Sequence, residues 1–147
     1  MTGISRALMG SLIGVCAPVF VAGCGSPKEE LIPVAGTITV KKKPLANGTV
    51  VFHPDRSKGN MDTREPRATI AGDLPGVYRL RTDNQDGAPG GWYRVAVFAL
   101  KPATGSQRPP EWLADQKYAD EKTSGLSVEV VKDAPARAFD FDLDPPN

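Results

Sequence analysis

Apolar and polar residues alternate with period two through most of the chain beyond residue 33, and no long stretch shows the 3.6-residue apolar period of an amphipathic helix. Residues 34–41 predict a first strand, with Val34, Gly36, Ile38 and Val40 on one face and Ala35, Thr37, Thr39 and Lys41 on the other. A second strand at 49–54 turns Val50 and Phe52 inward, and a weaker third at 67–71 carries Ala68 and Ile70. Residues 77–82 put Tyr78 and Leu80 on one side and Arg79 and Arg81 on the other. The long run 92–100 sets Tyr93, Val95 and Val97 against Arg94, Ala96 and Phe98. Leu126, Val128 and Val130 alternate with Ser127 and Glu129, and Phe139, Phe141 and Leu143 with Asp140 and Asp142. Seven strands separated by turn-rich segments predict an all-β domain built as a seven-stranded β-sandwich.

The connections carry turn chemistry. Asn47-Gly48, Leu74-Pro75-Gly76 and the run from Asp86 to Gly91 supply residues that tolerate left-handed or fixed backbone angles. Gly (15) and Pro (14) make up about a fifth of the chain, which suits short strands joined by turns better than a helical bundle. Two longer loops remain. The loop 55–65 is polar and expected to be mobile, and in 102–123 the pair Pro109-Pro110 is placed to start a helical turn.

Ahead of the domain lies a different pattern. Arg6 is the only charged residue before Lys28, and residues 7–23 are uncharged and largely apolar. That stretch is short for a membrane span, which needs about 20 strongly apolar residues, and Gly10, Gly14 and Pro18 weaken it further. One positive charge, an apolar centre and small residues at the end describe a secretory signal. Val21-Ala22-Gly23-Cys24 resembles the bacterial lipobox, an apolar residue and two small ones before the cysteine that is lipidated. The resemblance implies a signal peptide over 1–23, a diacylglyceryl group on Cys24 and a lipidated polar tether over 24–32. It also implies export to the cell envelope, where several acyl chains anchor a protein durably and one would not. The competing readings are an ordinary cleaved signal and an uncleaved anchor helix.

Cysteine usage and charge narrow the function. The only cysteines are Cys16 and Cys24, so the domain has no disulfide, no thiolate metal site and no cysteine nucleophile. Lys+Arg (18) nearly balance Asp+Glu (17), which removes the general field that draws a protein to nucleic acid.

Several segments of the domain resemble one family. Val34-Ala35-Gly36-Thr37-Ile38-Thr39-Val40, then Lys43-Pro44-Leu45 and Gly48-Thr49-Val50-Val51-Phe52-His53-Pro54, are similar to the opening hairpin of bacterial carboxypeptidase-regulatory-like lipoproteins. Gly91-Trp92-Tyr93-Arg94-Val95-Ala96-Val97, Lys117-Tyr118-Ala119-Asp120 with Thr123-Ser124-Gly125-Leu126, and Phe139-Asp140-Phe141-Asp142-Leu143 resemble its later strands in the same order. The resemblance covers nearly all of 33–144 and implies a transthyretin-like, immunoglobulin-like Greek-key sandwich without catalytic activity. Fold resemblance alone does not confer function. In two places the chain departs from the family: Lys41-Lys42-Lys43 replaces an Asp-Gly-type hairpin turn, and Gly72-Asp73-Leu74-Pro75-Gly76 replaces a Thr-Asp turn. Lysine resists positive φ, so the first departure predicts a different or looser turn.

Candidate chemistry is sparse. His53 is the only histidine, and a metal site needs three or more converging ligands, so neither His53 with Asp55 nor any other set predicts a metal or cofactor. No nucleophile-elbow motif flanks His53. The oxygen-rich run 83–86 lacks the spacing of an EF-hand and reads as a polar turn, with calcium the alternative. Asp140, Asp142 and Asp144 read as a solvated strand guarded against edge pairing. Lys41-Lys42-Lys43 reads as a hydrated hairpin tip, with anionic headgroups the alternative. Trp92, Phe98 and Trp112 read as buried beneath the 102–123 loop, with a glycan or peptide groove that they would line together with Tyr118 as the alternative. The expectation is a non-enzymatic envelope lipoprotein with a structural or interaction role. Its partners would be the membrane, through Cys24, and an envelope polysaccharide or protein. The alternative is a glycan- or peptide-binding module using the 102–123 loop and the strand edges.

Overall fold

Runs rich in Val, Ile and Thr, such as AGTITV and GTVVFHP, favour extended backbone because branched side chains pack well on a pleated surface. In the computed structural model, which describes residues 30–102, 105 and 109–147, they become strands. The signal segment, Val21, Ala22, Gly23, Cys24 and most of the tether lie outside the described residues. Ten strands follow in order: β1 (Ala35–Val40), β2 (Lys43–Pro44), β3 (Gly48–Pro54), β4 (Arg67–Ile70), β5 (Val77–Arg79), β6 (Arg81–Thr82), β7 (Gln85–Asp86), β8 (Gly91–Phe98), β9 (Ser127–Val130) and β10 (Phe141–Leu143). Helix is confined, among the described residues, to two 3-10 turns, Arg56–Lys58 and Gln116–Ala119. The protein is all-β.

The strands form two sheets. In the smaller, β1 lies between β10 and β2 and also pairs with β5; the larger runs β7-β6-β4-β3-β8-β9. Every pairing is antiparallel except β1 with β10, which runs parallel with Ile38 opposite Phe141 and Val40 opposite Leu143. Both sheets feed one apolar cluster, Ile38, Tyr78 and Leu143 from the smaller and Val50, Phe52, Tyr93, Val95 and Val130 from the larger. The Phe52 ring sits at its centre, 5.7 Å from Tyr93 and 6.5 Å from Tyr78 in tilted contacts. The buried Tyr78 hydroxyl donates to the Phe139 carbonyl at 2.6 Å, and that of Tyr93 to the Pro89 carbonyl at 2.9 Å. Burial first, then Asp140, keeps the Tyr78 phenol protonated far above its ordinary range.

The closing segment crosses β1 at Gly36. A Cβ there would lie 2.1 Å from the Phe139 carbonyl oxygen, so only glycine admits the crossing. Asp140 then accepts the Thr37 amide at 2.8 Å, and Asp144 takes the Lys117 ammonium at 2.6 Å and the Tyr118 hydroxyl at 2.8 Å. β10 is an edge strand of the smaller sheet with Asp142 exposed, and the three aspartates also tie the closing segment to the domain, Asp142 by accepting the Thr39 hydroxyl at 2.6 Å.

Several expectations are corrected. The run 77–82 is cut at Leu80, so that Val77–Arg79 pairs with β1 in one sheet and Arg81–Thr82 with β4 in the other. The lysine hairpin is not loose. Val40 pairs with Lys43, leaving a two-residue turn in which Lys41 has φ 46° and Lys42 has φ 66°. The 55–65 loop is pinned: Asp55 and Asn60 are buried, the Asp55 amide donates to the Trp92 carbonyl at 2.9 Å, and so does the Asn60 side-chain amide, also at 2.9 Å. Pro109-Pro110 starts no helix. Residues 111–113 instead return along 99–101, with Lys101 donating to Glu111 and Leu113 to Ala99, and the helical turn begins later, capped by Asp115.

Candidate functional site: an arginine-lined cleft

Outward-facing positions of β4, β5 and β6 alternate with core residues, and three of them are arginine. Arg67 and Arg81 stand directly opposite each other across β4 and β6, and Arg79 precedes Arg81 by one alternation. Arg64, from the loop entering β4, joins them around a cleft of about 850 Å³ that also has Glu65, Asp83, Thr63, Thr69 and Asn84 in its walls. Opposed like charges on paired strands destabilise a sheet, by roughly 0.2–1 kcal/mol per pair. The pairing is only partly relieved. Arg67 reaches Glu65 at 3.6 Å, a carboxylate shared with His53 at 2.9 Å, and Arg81 reaches the exposed Asp86 at 3.3 Å while donating to the Asn84 carbonyl at 2.6 Å. Arg64 is different, clasping Asp62 with Nε at 3.0 Å and a terminal nitrogen at 2.5 Å. That clasp holds the Asp62 carboxyl below the usual carboxylate range, with burial opposing it. Arg79 has no ion pair among the described residues.

The aromatic candidates do not converge. Trp92 and Phe98 stand at opposite ends of β8, roughly 20 Å apart along a strand. Lys58 covers the Trp92 ring at 3.8 Å and donates to Ser127 at 3.0 Å. Phe98 is 38% exposed on the outer face of the sheet. Trp112 pairs with Leu100 beyond the end of β8 and borders a separate cavity of about 620 Å³ with Pro110, Glu111 and Pro146. Tyr118 is buried in the core with its hydroxyl on Asp144.

His53 and Asp55 take different partners. The histidine meets Glu65, whereas Asp55 caps the Arg56–Lys58 turn, accepting the Ser57 hydroxyl at 2.5 Å and the Ser57 amide at 3.1 Å, with Arg94 at 3.3 Å. The Ser57 hydroxyl, then Arg94, lower the Asp55 carboxyl below its ordinary value against the cost of burial. Among the described residues no group of three or more His, Cys, Asp or Glu is placed to hold a metal ion. The run 83–86 divides into a two-residue turn, Asp83 at φ 47° and Asn84 at φ 67°, and the strand β7 that follows it. No helix among the described residues is long and apolar enough to cross a membrane.

The chain matches no protein-family model, no curated protein and no solved structure. The cleft was not foreseen. Its signal was present in the outward alternation of Arg79 and Arg81, but the pairing that sets Arg67 against Arg81 is a matter of register, which one strand's sequence does not contain.

Proposed function

We propose that the chain is a non-enzymatic, lipid-anchored envelope protein whose domain serves an interaction role. The observation that carries this reading is how soon the folded domain follows Cys24. Glu30 already pairs with Lys132 at 2.6 Å, and Ile32 is bridged to Ala88 with both amides donating across, at 2.8 and 2.9 Å. The run from Cys24 to Glu30 reaches at most about 20 Å in any conformation. Acyl chains on Cys24 of the Val21-Ala22-Gly23-Cys24 lipobox would hold the domain against the membrane surface, exported and facing the envelope. The polar side chains that catalysis would draw on support the non-enzymatic part, because they hold the fold: His53 on Glu65, Asp55 on Ser57, Asp142 within β10, and Asp140 and Asp144 on either side of it.

The finer fold belongs to the same proposal. Two sheets around one core, with strands inside all seven expected segments, support a seven-stranded Greek-key sandwich of the transthyretin-like, carboxypeptidase-regulatory-like kind. Mass spectrometry of the mature amino terminus tests the anchor: an acylated Cys24 is expected, and Cys24→Ser should release the protein from vesicles. A Cys24→Ser protein that stays attached with its leader removed overturns it.

The cavity beside Trp112 favours a second reading, a glycan or peptide seat on the 102–123 loop. A glycan and peptide array decides it: binding abolished by Trp112→Ala supports this seat, and binding that survives the substitution removes it.

A further inference from the structure

We propose that the cleft lined by Arg64, Arg67, Arg79 and Arg81 binds an extended saccharide chain bearing repeated carboxylate or phosphate groups. The inference rests on reading the domain as an interaction module, and it does not depend on the anchor.

Three features carry it. The first is charge. Arg67 and Arg81 stand directly opposite each other on paired strands, and Arg79 lines the same cleft without an ion pair among the described residues, so Glu65 and Asp83 in the wall offset only part of the positive charge. The fold bears this repulsion when glutamine or threonine would also satisfy an exposed strand position, and an anion seated between the two arginines relieves it. Planar guanidinium forks match carboxylate and phosphate oxygens in pairs, which a point charge cannot do.

The second feature is spacing. Directly opposed side chains stand roughly 5 Å apart, which sets the spacing of the Arg67 and Arg81 positions. Arg79, from β5 of the other sheet, and Arg64, from the loop entering β4, line the same cleft of about 850 Å³, so the positive charges are spread more widely than a single small ion needs and suit an extended chain with one anion per repeat.

The third is the lining. Thr63, Thr69 and Asn84 offer hydroxyl and amide groups to sugar hydroxyls, and Ala68, the only apolar lining residue, is itself buried. A peptide ligand would look for apolar pockets to seat its side chains. A single-stranded nucleic acid would look for aromatic rings on which to stack its bases. The cleft wall carries neither, and its concavity suits a chain better than a flat membrane.

Titration calorimetry tests the proposal, with the full-length protein in detergent for the polymers and the Cys24→Ser protein without detergent for the vesicles. The probes are polygalacturonate, dextran phosphate, unmodified dextran, polyglutamate and phosphatidylglycerol vesicles. Saturable binding of polygalacturonate or dextran phosphate is expected, with affinity falling as salt rises. The stronger of the two identifies the anion. Arg67→Gln with Arg81→Gln should weaken binding at least tenfold while leaving the melting temperature unchanged or higher, since the substitutions remove a repulsion. Trp112→Ala should leave binding intact.

Polyglutamate bound as tightly as the acidic glycans, vesicles bound through the cleft in a Cys24→Ser protein, or glycan binding indifferent to the arginine substitutions would each overturn the proposal. If no probe binds while the acylated protein still partitions to membranes, the cleft proposal fails and the anchor stands. If Cys24→Ser fails to release the protein while acidic glycans bind the cleft, the reverse holds.

Discussion

The turns at Lys41-Lys42 and Asp83-Asn84 have nearly the same backbone shape. Their φ values are 46° and 66° in the first and 47° and 67° in the second, and each joins strands paired at the adjacent residues, Val40 with Lys43 and Thr82 with Gln85. Aspartate and asparagine visit the left-handed region readily because their short polar side chains hydrogen-bond locally. Lysine has no such device and resists that region by about 1–2 kcal/mol per residue. The second turn is therefore held by its own residues, with Arg81 donating to the Asn84 carbonyl at 2.6 Å. The first is held from outside. Asp142 on β10 accepts the Lys42 amide at 2.9 Å, the Lys42 ammonium at 2.8 Å and the Thr39 hydroxyl at 2.6 Å. One hairpin is local and the other is completed by the far end of the chain.

The largest test removes the outside support while leaving both turns intact. Gly36→Ala should push Phe139 off β1 and cost at least about 3 kcal/mol, read from the urea midpoint. Amide exchange protection should fall at residues 41–45 and persist at 81–87. Equal losses in both hairpins would end the distinction. Tyr78→Phe strikes the same crossing more gently. It strands the Phe139 carbonyl and should cost about 1–3 kcal/mol with the same selective loss of protection.

Exchanging the turn residues sharpens the contrast further. Lys41→Asn with Lys42→Gly should stabilise the protein by about 1 kcal/mol, whereas Asp83→Asn with Asn84→Gly should change it by less than about 0.5 kcal/mol. Equal gains at the two sites would show that lysine bears no strain there.

The smallest effect lies in pH. The Lys42 ammonium, then the Thr39 hydroxyl and the Lys42 amide, hold the Asp142 carboxyl well below the usual carboxylate range. A lowered native value means stability that is present above the unfolded value of about 4 and is lost as pH falls toward the native one. Melting temperature measured from pH 6 to pH 2 should fall below about pH 4, and less steeply in Asp142→Asn. Identical slopes would show that Asp142 contributes nothing to the acid response.

The strands were legible because alternation survives in single segments: Val50 and Phe52, Tyr78 and Leu80, Tyr93, Val95 and Val97 are all buried as their spacing requires. What the chain did not reveal depends on pairs. Lys41-Lys42 reads as a poor tight turn until Asp142, a hundred residues away, is brought beside it. Leu80 reads as mid-strand because period two does not record which sheet a residue joins. The cleft is hidden for the same reason, since Arg67 and Arg81 are unremarkable surface residues until register makes them face each other. Tyr118 reads as a candidate groove residue because Asp144, its partner, lies outside its own segment.

The parallel union of β1 with β10 also sets an order of events. Thr39 and Asp142 are 103 positions apart, and closure across such a separation lags behind the neighbouring hairpins. Until residues 139–143 arrive, the first strand keeps an unzipped flank and the lysine turn has nothing to lean on. If the chain is exported as proposed, that lateness would keep the domain pliable during transit and let it lock only once residues 139–143 are delivered on the far side.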